Sequence, residues 1–332
     1  MVDYHKIREP ERDLQLKALL EKCELTLPTD TQDNLGVYEK GQLVGCGFLK
    51  GSMLQGIAIE PAYQGEGLSA GLLTRLISKA AEHGIYHVTL ITKPEMAEHF
   101  QSLGFSQVAK AEPYATFLEF GRPTIDVYLQ QLADVARDKP AQRACLVMNC
   151  NPFTKGHQYL VEQASRENEW VFLLVVEEDR SEFPFSVRME LVQQGVKELH
   201  NVSVLRGGEY VISMATFPSY FTKQEQRLPA QATLDAEVFG QRIAPALGLR
   251  RRYVGTEPFS LVTAQYNQVL QERLPKYGIE VREVERTQID GEVISASRVR
   301  QGLRDGDWEL VQKLVPEHTW NFLRSQQANK II

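Results

Sequence analysis

The chain lacks several features that would assign it to a broad class of protein. No apolar run approaches the roughly 18 residues of a membrane span, and no charged segment followed by an apolar run begins the chain. Its four cysteines show no C-x-x-C spacing, and 37 basic against 43 acidic side chains leave a net charge of −6. We therefore expect a cytoplasmic, reduced protein without a resident metal site and without nucleic-acid or membrane partners.

The length of the chain points to more than one domain. Single hydrophobic cores seldom grow beyond about 250 to 300 residues, and this chain has 332, of which 43% are hydrophobic. The pattern of elements changes near Gly121-Arg122-Pro123 and again after a polar, helix-like stretch that ends at Asp138-Lys139-Pro140. The sequence therefore predicts one domain at 1–121, a linker at 122–142 and a second domain at 143–332.

Apolar runs and helical patterns alternate in the second predicted domain. Strands are predicted at 145–148, 171–176, 202–205, 253–255 and 281–284. Helices are predicted between them, at 185–199, 234–247 and 263–274. Strands that are apolar on both faces and separated by helices are typical of a doubly wound parallel sheet. Ligands of such sheets gather at the carboxyl ends of strands, where the winding reverses.

The segment Asn149-Cys150-Asn151-Pro152-Phe153-Thr154-Lys155-Gly156-His157 lies at one such strand end. It precedes an amphipathic run and so predicts a tight turn followed by a helix start. Backbone N–H groups at a helix N-terminus attract phosphate oxygens, Gly156 lacks a Cβ that would hold them away, and His157 can donate to phosphate. The segment predicts a nucleotide triphosphate site. Its Thr-x-Gly-His form resembles the signature of the nucleotidyltransferase superfamily, which implies a Rossmann-like, HIGH-type fold.

A second segment, Ile294-Ser295-Ala296-Ser297-Arg298-Val299-Arg300, follows another strand-like run. It places two hydroxyls at a predicted helix start and two arginines just inside it, a combination that suits the outer phosphates of ATP. The segment resembles the Ile-Ser-x-Ser/Thr-x-x-Arg element of the same superfamily. The two elements stand in the order that the superfamily uses, so we interpret them as the two sides of one ATP site.

The first predicted domain follows a different pattern. Residues 36–39 and 43–49 flank Lys40-Gly41-Gln42 and predict a β-hairpin within an antiparallel meander. The loop Gln64-Gly65-Glu66-Gly67-Leu68-Ser69 then leads into an apolar helix at 70–81. It resembles the Gln/Arg-x-x-Gly-x-Gly/Ala loop of GNAT-type acetyltransferases, a resemblance that covers about residues 1–120. A mixed α/β, GNAT-like domain is therefore predicted.

The GNAT resemblance implies that the loop holds the pyrophosphate of a CoA-like group. The implied contacts are Gln64, Gly65, Gly67 and Ser69, the last of which replaces the usual Gly or Ala. Phe100 stands where many members carry a tyrosine general acid. Because a phenyl ring has no proton to give to a leaving thiolate, a CoA-like pocket is better supported than acetyl transfer.

Further segments of the second domain resemble one family specifically, the citrate lyase ligases. They are Met148 to Thr154, Phe183 to Arg188, Gly207 to Ser213, Ala215 to Phe221 and Val254 to Phe259. The resemblance implies that acetate, ATP and the thiol of citrate lyase become acetylated citrate lyase, AMP and diphosphate, via acetyl-adenylate. The implied partner is the lyase's acyl carrier subunit, whose phosphoribosyl-dephospho-CoA group bears the thiol. The implied cofactors are ATP and the Mg²⁺ that accompanies it.

The resemblance also implies roles for individual residues. Catalysis is assigned to Thr154, His157 and Arg300. We assign Thr154 and His157 to the α- and β-phosphates, and Ser295, Ser297 and Arg300 to the β- and γ-phosphates. Further ATP or phosphate contacts are predicted at Asn151, Pro152, Phe153, Lys155, Gly156, Arg188 and Gly255. The aromatic cluster at 217–221 lines an acyl or pantetheine pocket or belongs to the core.

Three alternatives of different classes remain open at this point. An adenylyltransferase would leave AMP on a phosphorylated acceptor and would make a dinucleotide rather than a thioester. A GNAT-type acetyltransferase would use acetyl-CoA and need no ATP, and Phe100 counts against it. A non-catalytic partner of the carrier would need neither of the two phosphate elements.

Overall fold

The computed structural model describes residues 2–177, 181–213, 217–218, 220, 224–256, 261–289 and 291–325. The chain divides into two compact units. The first comprises Met1–Tyr128 and Phe217–Leu234, and the second comprises Leu129–Thr216 and Asp235–Ile332. The first unit is therefore discontinuous along the sequence, because a segment from the C-terminal half of the chain completes it.

The first unit is built on a mixed sheet. Its strands are β1 (Val2–His5), β2 (Asp33–Glu39), β3 (Gln42–Lys50), β4 (Met53–Ile59), β5 (His87–Thr92), β6 (Ser106–Ala111) and β7 (Ala115–Gly121). Its helices in this part of the chain are α1 (Leu14–Lys22), α2 (Leu68–Glu82) and α3 (Ala97–Ser102). Across the described residues the strand order is β1-β2-β3-β4-β5-β7-β6. Of these neighbours β4 and β5 run parallel, and the others run antiparallel.

The parallel pair β4 and β5 separates soon after it begins. The two strands are paired at Met53 with Thr89 and at Leu54 with Leu90, although both continue further. A bulge in β4 accompanies the separation, and Gly56 there has a φ of +56°, a conformation that favours glycine. The sheet therefore opens into a gap between the C-terminal parts of β4 and β5.

Helix α2 covers the sheet at the mouth of this gap. Its buried residues Leu68, Leu72, Leu76 and Ala80 recur at helical spacing and pack into the core of the first unit. The helix begins after Gly67, which has a left-handed φ of +76° and supplies no side-chain cap. The first amides of a helix have no acceptor within the helix, so this end suits an anion.

The second unit is built on a parallel sheet. Helix α4 (Ile125–Ala136) leads into it, and its strands are β8 (Arg143–Met148), β9 (Trp170–Val175), β10 (Val202–Arg206), β11 (Arg251–Gly255) and β12 (Glu280–Val284). The helices between these strands are α5 (Lys155–Glu167), α6 (Phe185–Val196), α7 (Gln224–Val238), α8 (Ala244–Leu247) and α9 (Leu261–Arg273). A short hairpin of β13 (Gln288–Ile289) and β14 (Glu292–Val293) precedes α10 (Ala296–Asp305), α11 (Trp308–Leu314) and α12 (Glu317–Leu323).

The strand order of this sheet, within the described residues, is β10-β9-β8-β11-β12, and all of its pairs are parallel. The winding reverses between β8 and β11, so the carboxyl ends of these two strands form the switch point at which ligands bind. The predicted α/β fold class, with a doubly wound parallel sheet after a mixed domain, is confirmed. In the part of the chain that the structure describes, no helix is both long and apolar enough to span a bilayer.

The predicted helix at 234–247 begins earlier than expected. Residues 224–247 form one helical run, in which a π-helical turn at Phe239–Ile243 joins α7 to α8. The division between the two units falls within this run, after Leu234. The domain boundaries predicted from sequence stay a prediction, and they did not anticipate that residues 217–234 belong to the first unit.

Candidate functional site

The first candidate site lies in the second unit, where the loop after β8 turns into α5. Thr154 is the N-cap of α5, and its hydroxyl accepts a hydrogen bond from the His157 backbone N–H at 3.3 Å. In return the Thr154 N–H donates to Nδ1 of His157 at 3.1 Å. This reciprocal pair is a capping box in which histidine takes the position usual for glutamate or glutamine. It begins the helix at Lys155 and also fixes the orientation of the imidazole ring.

The capping box determines the protonation of His157. Because Nδ1 accepts a hydrogen bond, the neutral ring carries its proton on Nε2. Removal from water and then the positive charge of Arg286 lower the pKa of His157 to about 4. The ring is therefore uncharged at neutral pH, and its Nε2–H is a preoriented neutral donor.

A cavity of about 350 Å³ opens beside this ring at the switch point of the sheet. Its walls come from the ends of β8, β11 and β12, from the first turns of α5 and α10, and from α9. Five residues predicted from sequence line it: Thr154, Gly156, His157, Gly255 and Ser295. Lining residues that sequence reasoning missed include Asn149, Tyr266, Asn267, Glu285 and Arg286.

The N-termini of α5 and α10 meet at this cavity. A Cβ on Gly156 would lie 3.1 Å from the carbonyl oxygen of Ile294, so a larger residue there would push the two segments apart by a few tenths of an ångström. Gly156 also lines the cavity, and its predicted role of leaving room for phosphate stays a prediction. Ser295 caps α10 by accepting from the Arg298 N–H at 3.3 Å, whereas Ser297 is exposed and does not line the cavity. Two helix N-termini together create a positive region suited to phosphates.

Three residues predicted as nucleotide contacts support the loop instead of lining the cavity. Phe153 is fully buried, lies against Gly195 of α6 and stacks on His157 with ring centroids 5.8 Å apart. Pro152 is also buried. The Asn151 side chain accepts from the Phe183 N–H at 3.1 Å. In this structure these three residues do not face the cavity as predicted nucleotide contacts would. They hold the loop and the ring of His157 in place.

Arg188 of α6 also lies beneath the loop. It is fully buried, and its guanidinium donates to the carbonyl oxygens of Asn149 (2.7 Å), Val176 (2.8 Å) and Phe183 (3.0 Å). A guanidinium whose donors are directed to buried carbonyls is not available to a phosphate. The predicted phosphate contact of Arg188 is therefore revised: this residue positions the end of β8 and the loop that follows it.

Lys155 and Arg300 lie outside the cavity lining as well. The ammonium of Lys155 donates to the carbonyl of Lys313 at 2.8 Å. Arg300 donates to the carbonyl of Asn151 at 2.5 Å and forms an ion pair with Glu182 at 3.1 Å. In this structure Arg300 ties α10 to the loop before α5, so it connects the two elements predicted to bind phosphate.

Arg286 is the cation that sequence reasoning missed. It follows β12, and its backbone N–H donates to the Thr256 hydroxyl at 3.1 Å. Its side chain lies over Gly255, where an added Cβ would be 3.5 Å from Nε. Arg286 lines the cavity and acts electrostatically on His157. The sequence feature that could have identified Arg286 is its position just beyond the carboxyl end of a strand of the parallel sheet.

The second candidate site is a cavity of about 450 Å³ in the first unit, at the gap between β4 and β5. Gln64, Gly65 and Ser69 line it, whereas Gly67 forms the helix N-cap next to it. The Gln64 amide donates to the carbonyl of Ile59 at 3.2 Å, and the Ser69 hydroxyl lies 3.0 Å from Nε2 of His99. The predicted loop and the helix N-terminus therefore border one pocket.

Phe100 forms part of the apolar wall of this second cavity. It is buried in the core of the first unit and packs edge-on against Phe105, with centroids 6.1 Å apart. Two lysines at the rim are paired with carboxylates: Lys22 with Glu60 at 2.9 Å and Lys93 with Glu24 at 2.6 Å. The cavity thus has an apolar interior and charged groups at its rim.

The aromatic cluster at 217–221 belongs to the first unit. Phe217 and Tyr220 are both buried there, while Ser219 and Phe221 lie outside the described residues. Phe217 and Tyr220 do not line the cavity of the second unit. From the sequence, the cluster is interpreted as lining an acyl or pantetheine pocket or as part of the core, and the second interpretation fits the described residues.

Known proteins resemble the chain over nearly its full length. Residues 143–323 match the family of the citrate lyase ligase C-terminal domain, and residues 12–120 match the GNAT acetyltransferase domain. The citrate (pro-3S)-lyase ligase of Klebsiella pneumoniae is 39% identical over 322 residues, which cover 96% of this chain and 94% of that protein. The protein of the same name from Escherichia coli K12 is 36% identical over 326 residues, covering 96% and 92%.

Solved structures resemble the first unit more weakly. The ribosomal-protein-S18-alanine N-acetyltransferase from Escherichia coli aligns with 37% of this chain and 96% of its own chain, at 16% sequence identity and a TM-score of 0.32.

Proposed function

The chain belongs to the citrate lyase ligase family, and on that premise we propose that it activates citrate lyase by acetylating the thiol of the acyl carrier subunit. Acetate supplies the acyl group, and ATP is converted to AMP and diphosphate. Mg²⁺ enters together with ATP as part of the substrate. The observation that carries this proposal is the cavity of the second unit, where two helix N-termini and the neutral donor of His157 converge.

The first step forms acetyl-adenylate in that cavity. An acetate oxygen bonds to the α-phosphorus, the bond to the bridging oxygen of diphosphate breaks, and diphosphate leaves with the electron pair. Charge builds up on phosphoryl oxygens, so fixed donors that need not reorganise lower the barrier. We assign Thr154 and His157 to the α- and β-phosphates. We assign Ser295, Ser297 and Arg300 to the outer phosphates, with Arg300 turning from the loop toward ATP.

The second step transfers the acetyl group to the carrier thiol. The thiol sulfur attacks the acetyl carbonyl, AMP leaves, and the thiol proton passes to solvent or to AMP. We propose that the cavity of the first unit holds the CoA-like arm of the carrier. The open N-terminus of α2 suits its diphosphate, and Gln64, Gly65, Gly67 and Ser69 are the proposed contacts.

The test of the first step is ATP–diphosphate exchange, measured with and without acetate. A ligase of this kind exchanges labelled diphosphate into ATP only when acetate is present. Exchange that is independent of acetate, together with a dinucleotide product on a phosphorylated acceptor, would instead identify an adenylyltransferase. Holo-citrate lyase in its thiol form then tests the second step, with acetylated carrier as the product.

The acetyltransferase alternative predicts amine acetylation from acetyl-CoA without ATP. It is disfavoured because the residue in the position of the usual general acid, Phe100, is a buried phenyl group. Robust acetylation of an amine by the purified chain in the absence of ATP would support that alternative and count against the ligase.

A further inference from the structure

Tyr220 joins three parts of the first unit that are far apart in sequence. Its hydroxyl donates to the carbonyl of Ile91 in β5 at 2.9 Å and makes a backbone hydrogen bond with Gly56 in β4. Its own carbonyl accepts from the Thr26 N–H at 2.7 Å and lies 3.4 Å from the Thr26 hydroxyl. Tyr220 is therefore anchored at both its backbone and its ring.

The hydroxyl of Tyr220 lies where the β4–β5 ladder stops. The last paired residues are Leu54 and Leu90; Ile91 is the next residue of β5, and Gly56 is two residues further along β4. The tyrosine thus makes the hydrogen bonds that the separating strands no longer make to each other. Burial raises the pKa of Tyr220 far above its usual value, so the hydroxyl stays neutral and keeps both bonds.

Tyr220 does not itself line the first-unit cavity, but the groups that it binds lie next to part of the cavity lining. The lining of that cavity reaches Leu25 in the loop after α1, Ile57 in β4 and Lys93 after β5. The groups that Tyr220 binds are one or two residues away from these lining residues: Thr26 follows Leu25, Gly56 precedes Ile57, and Ile91 precedes Lys93 by two residues. The opposite end of the cavity is the loop of Gln64 and Gly65. We call the end next to Tyr220 the inner end.

We propose that Tyr220 closes the inner end of this cavity and sets its length, so that the site accepts a thiol-ended, CoA-type chain but rejects one extended by a long acyl group. The inference rests on the proposed role of the cavity in holding the carrier arm. A chain that passed the inner end would have to displace a ring held by several buried hydrogen bonds, and breaking such bonds leaves unpaired buried groups.

The test is a chain-length series on the full protein, in which calorimetry measures the binding of CoA, acetyl-CoA, butyryl-CoA and hexanoyl-CoA. For the natural chain we expect CoA and acetyl-CoA to bind similarly and hexanoyl-CoA to bind about tenfold or more weakly, because methylenes forced into a packed region are unfavourable. Tyr220→Ala should restore hexanoyl-CoA binding to within about threefold of CoA. Tyr220→Phe, which keeps the ring, should retain most of the discrimination.

Each outcome decides something definite. If the natural chain binds the whole series equally well, the closing role of Tyr220 is wrong while the CoA site stands. If CoA does not bind, or binds unchanged to Gly67→Val, the proposed role of the cavity fails and this inference fails with it. Thermal melting establishes whether Tyr220→Ala is folded; if it is not, Tyr220→Leu, which removes the ring but stays apolar, takes its place in the series. A folded variant without the ring that still rejects hexanoyl-CoA would show that Tyr220 does not set the length.

Discussion

His157 combines two roles that require the same protonation state. Its Nδ1 caps α5 and its Nε2–H is the donor offered to the cavity. Protonation at Nδ1 would replace an acceptor with a donor and break the capping box. The low pKa of His157 thus preserves both the start of the helix and the donor at neutral pH.

We expect His157→Ala to lower acetate-dependent ATP–diphosphate exchange by roughly 10² to 10³, the usual effect of losing a preorganised donor. The same change should destabilise the protein by about 0.5–1.5 kcal/mol, because the Thr154 N–H loses its acceptor Nδ1 while the Thr154 cap itself remains. His157→Gln should recover the stability, because glutamine serves in capping boxes, and part of the exchange. Exchange rates and melting temperatures of both variants are the measurement. Near-normal exchange in His157→Ala would remove this residue from the site.

Arg286→Gln should raise the pKa of His157 above about 4, because it removes a positive charge that disfavours the imidazolium. The value should stay below the ordinary one of about 6.5, since burial is the larger cause. An NMR titration of the His157 ring protons measures the shift, and exchange activity should fall in parallel. Arg298→Gln is the matched control, because Arg298 is bonded to Glu292 and Val293 outside the cavity. If the His157 titration is unchanged in Arg286→Gln, the charge of Arg286 does not lower the pKa of His157.

The lowered pKa of His157 makes the stability of the protein depend on pH. The folded pKa of about 4 lies below the unfolded value of about 6.5, so protons bind preferentially to the unfolded chain. The contribution of His157 to stability is therefore complete above pH 6.5 and declines as the pH falls toward 4. Urea unfolding at a series of pH values should show a weaker dependence in this range for His157→Gln. An identical pH dependence in both proteins would argue against a lowered pKa.

At the residue scale, the sequence predicted where the phosphate-binding motif lies, but not which of its side chains point into the cavity. Thr154, Gly156 and His157 line the cavity because a helix N-terminus is a local feature. Lys155 does not, since successive helical residues point about 100° apart around the axis, and it reaches Lys313 instead. The position of Arg286 was not predictable from a motif, because it depends on which strands become neighbours in the folded sheet.

At the scale of elements, the close approach of α5 and α10 is the feature most sensitive to a small change. Gly156→Ala adds a methyl group 3.1 Å from the Ile294 carbonyl, so the segment before α10 must shift by a few tenths of an ångström. We expect exchange to fall by about tenfold, because small displacements at a reacting centre are costly, while the melting temperature changes little. Gly302→Ala is the control, since its methyl would meet Val311 at 3.0 Å, away from the cavity. Equal activity of both variants would contradict the argument.

The N-terminus of α2 offers a separate test of the first unit. Gly67→Val introduces a branched side chain and a strained positive φ beside the proposed diphosphate site, and we expect a raised apparent KM for the carrier with unchanged ATP–diphosphate exchange. Gly84→Val is the matched control: Gly84 follows the other end of α2, has a φ of +77° against +76° for Gly67, and a Cβ at either position meets open space. Both variants share the strain, so a difference between them reports the site. If Gly67→Val acetylates the carrier at the wild-type rate, the first unit has only a structural role.

For the whole molecule, the sequence predicted two architectures but not how the chain is divided between them. Periodicity and strand–helix alternation identified the parallel sheet because these are local patterns. They do not reveal which unit a given helix packs against, so the assignment of Phe217–Leu234 to the first unit went unpredicted. The doubly wound sheet was therefore foreseen, whereas the discontinuity required the structure.

This discontinuity predicts that the chain cannot be cut cleanly in the linker. A fragment of residues 143–332 retains Phe217 and Tyr220 but lacks Thr26 and Ile91, so aromatic groups that are buried in the full chain become exposed. We expect the fragment to aggregate or to melt at a lower temperature, and co-expression of residues 1–128 to restore its solubility. Size-exclusion chromatography and thermal melting provide the measurement. A monomeric fragment as stable as the full chain would show that the segment has no need of the first unit.

The return of residues 217–234 also sets the order of events during translation. Domains generally fold as units while the ribosome elongates the chain at about 5–20 residues per second. The first 128 residues of the first unit emerge early, yet its missing piece emerges only with residue 234, roughly 5–20 s later at that rate. Throughout that interval the gap between β4 and β5 lacks Tyr220. The nascent first unit therefore stays incomplete until much of the second unit has been synthesised.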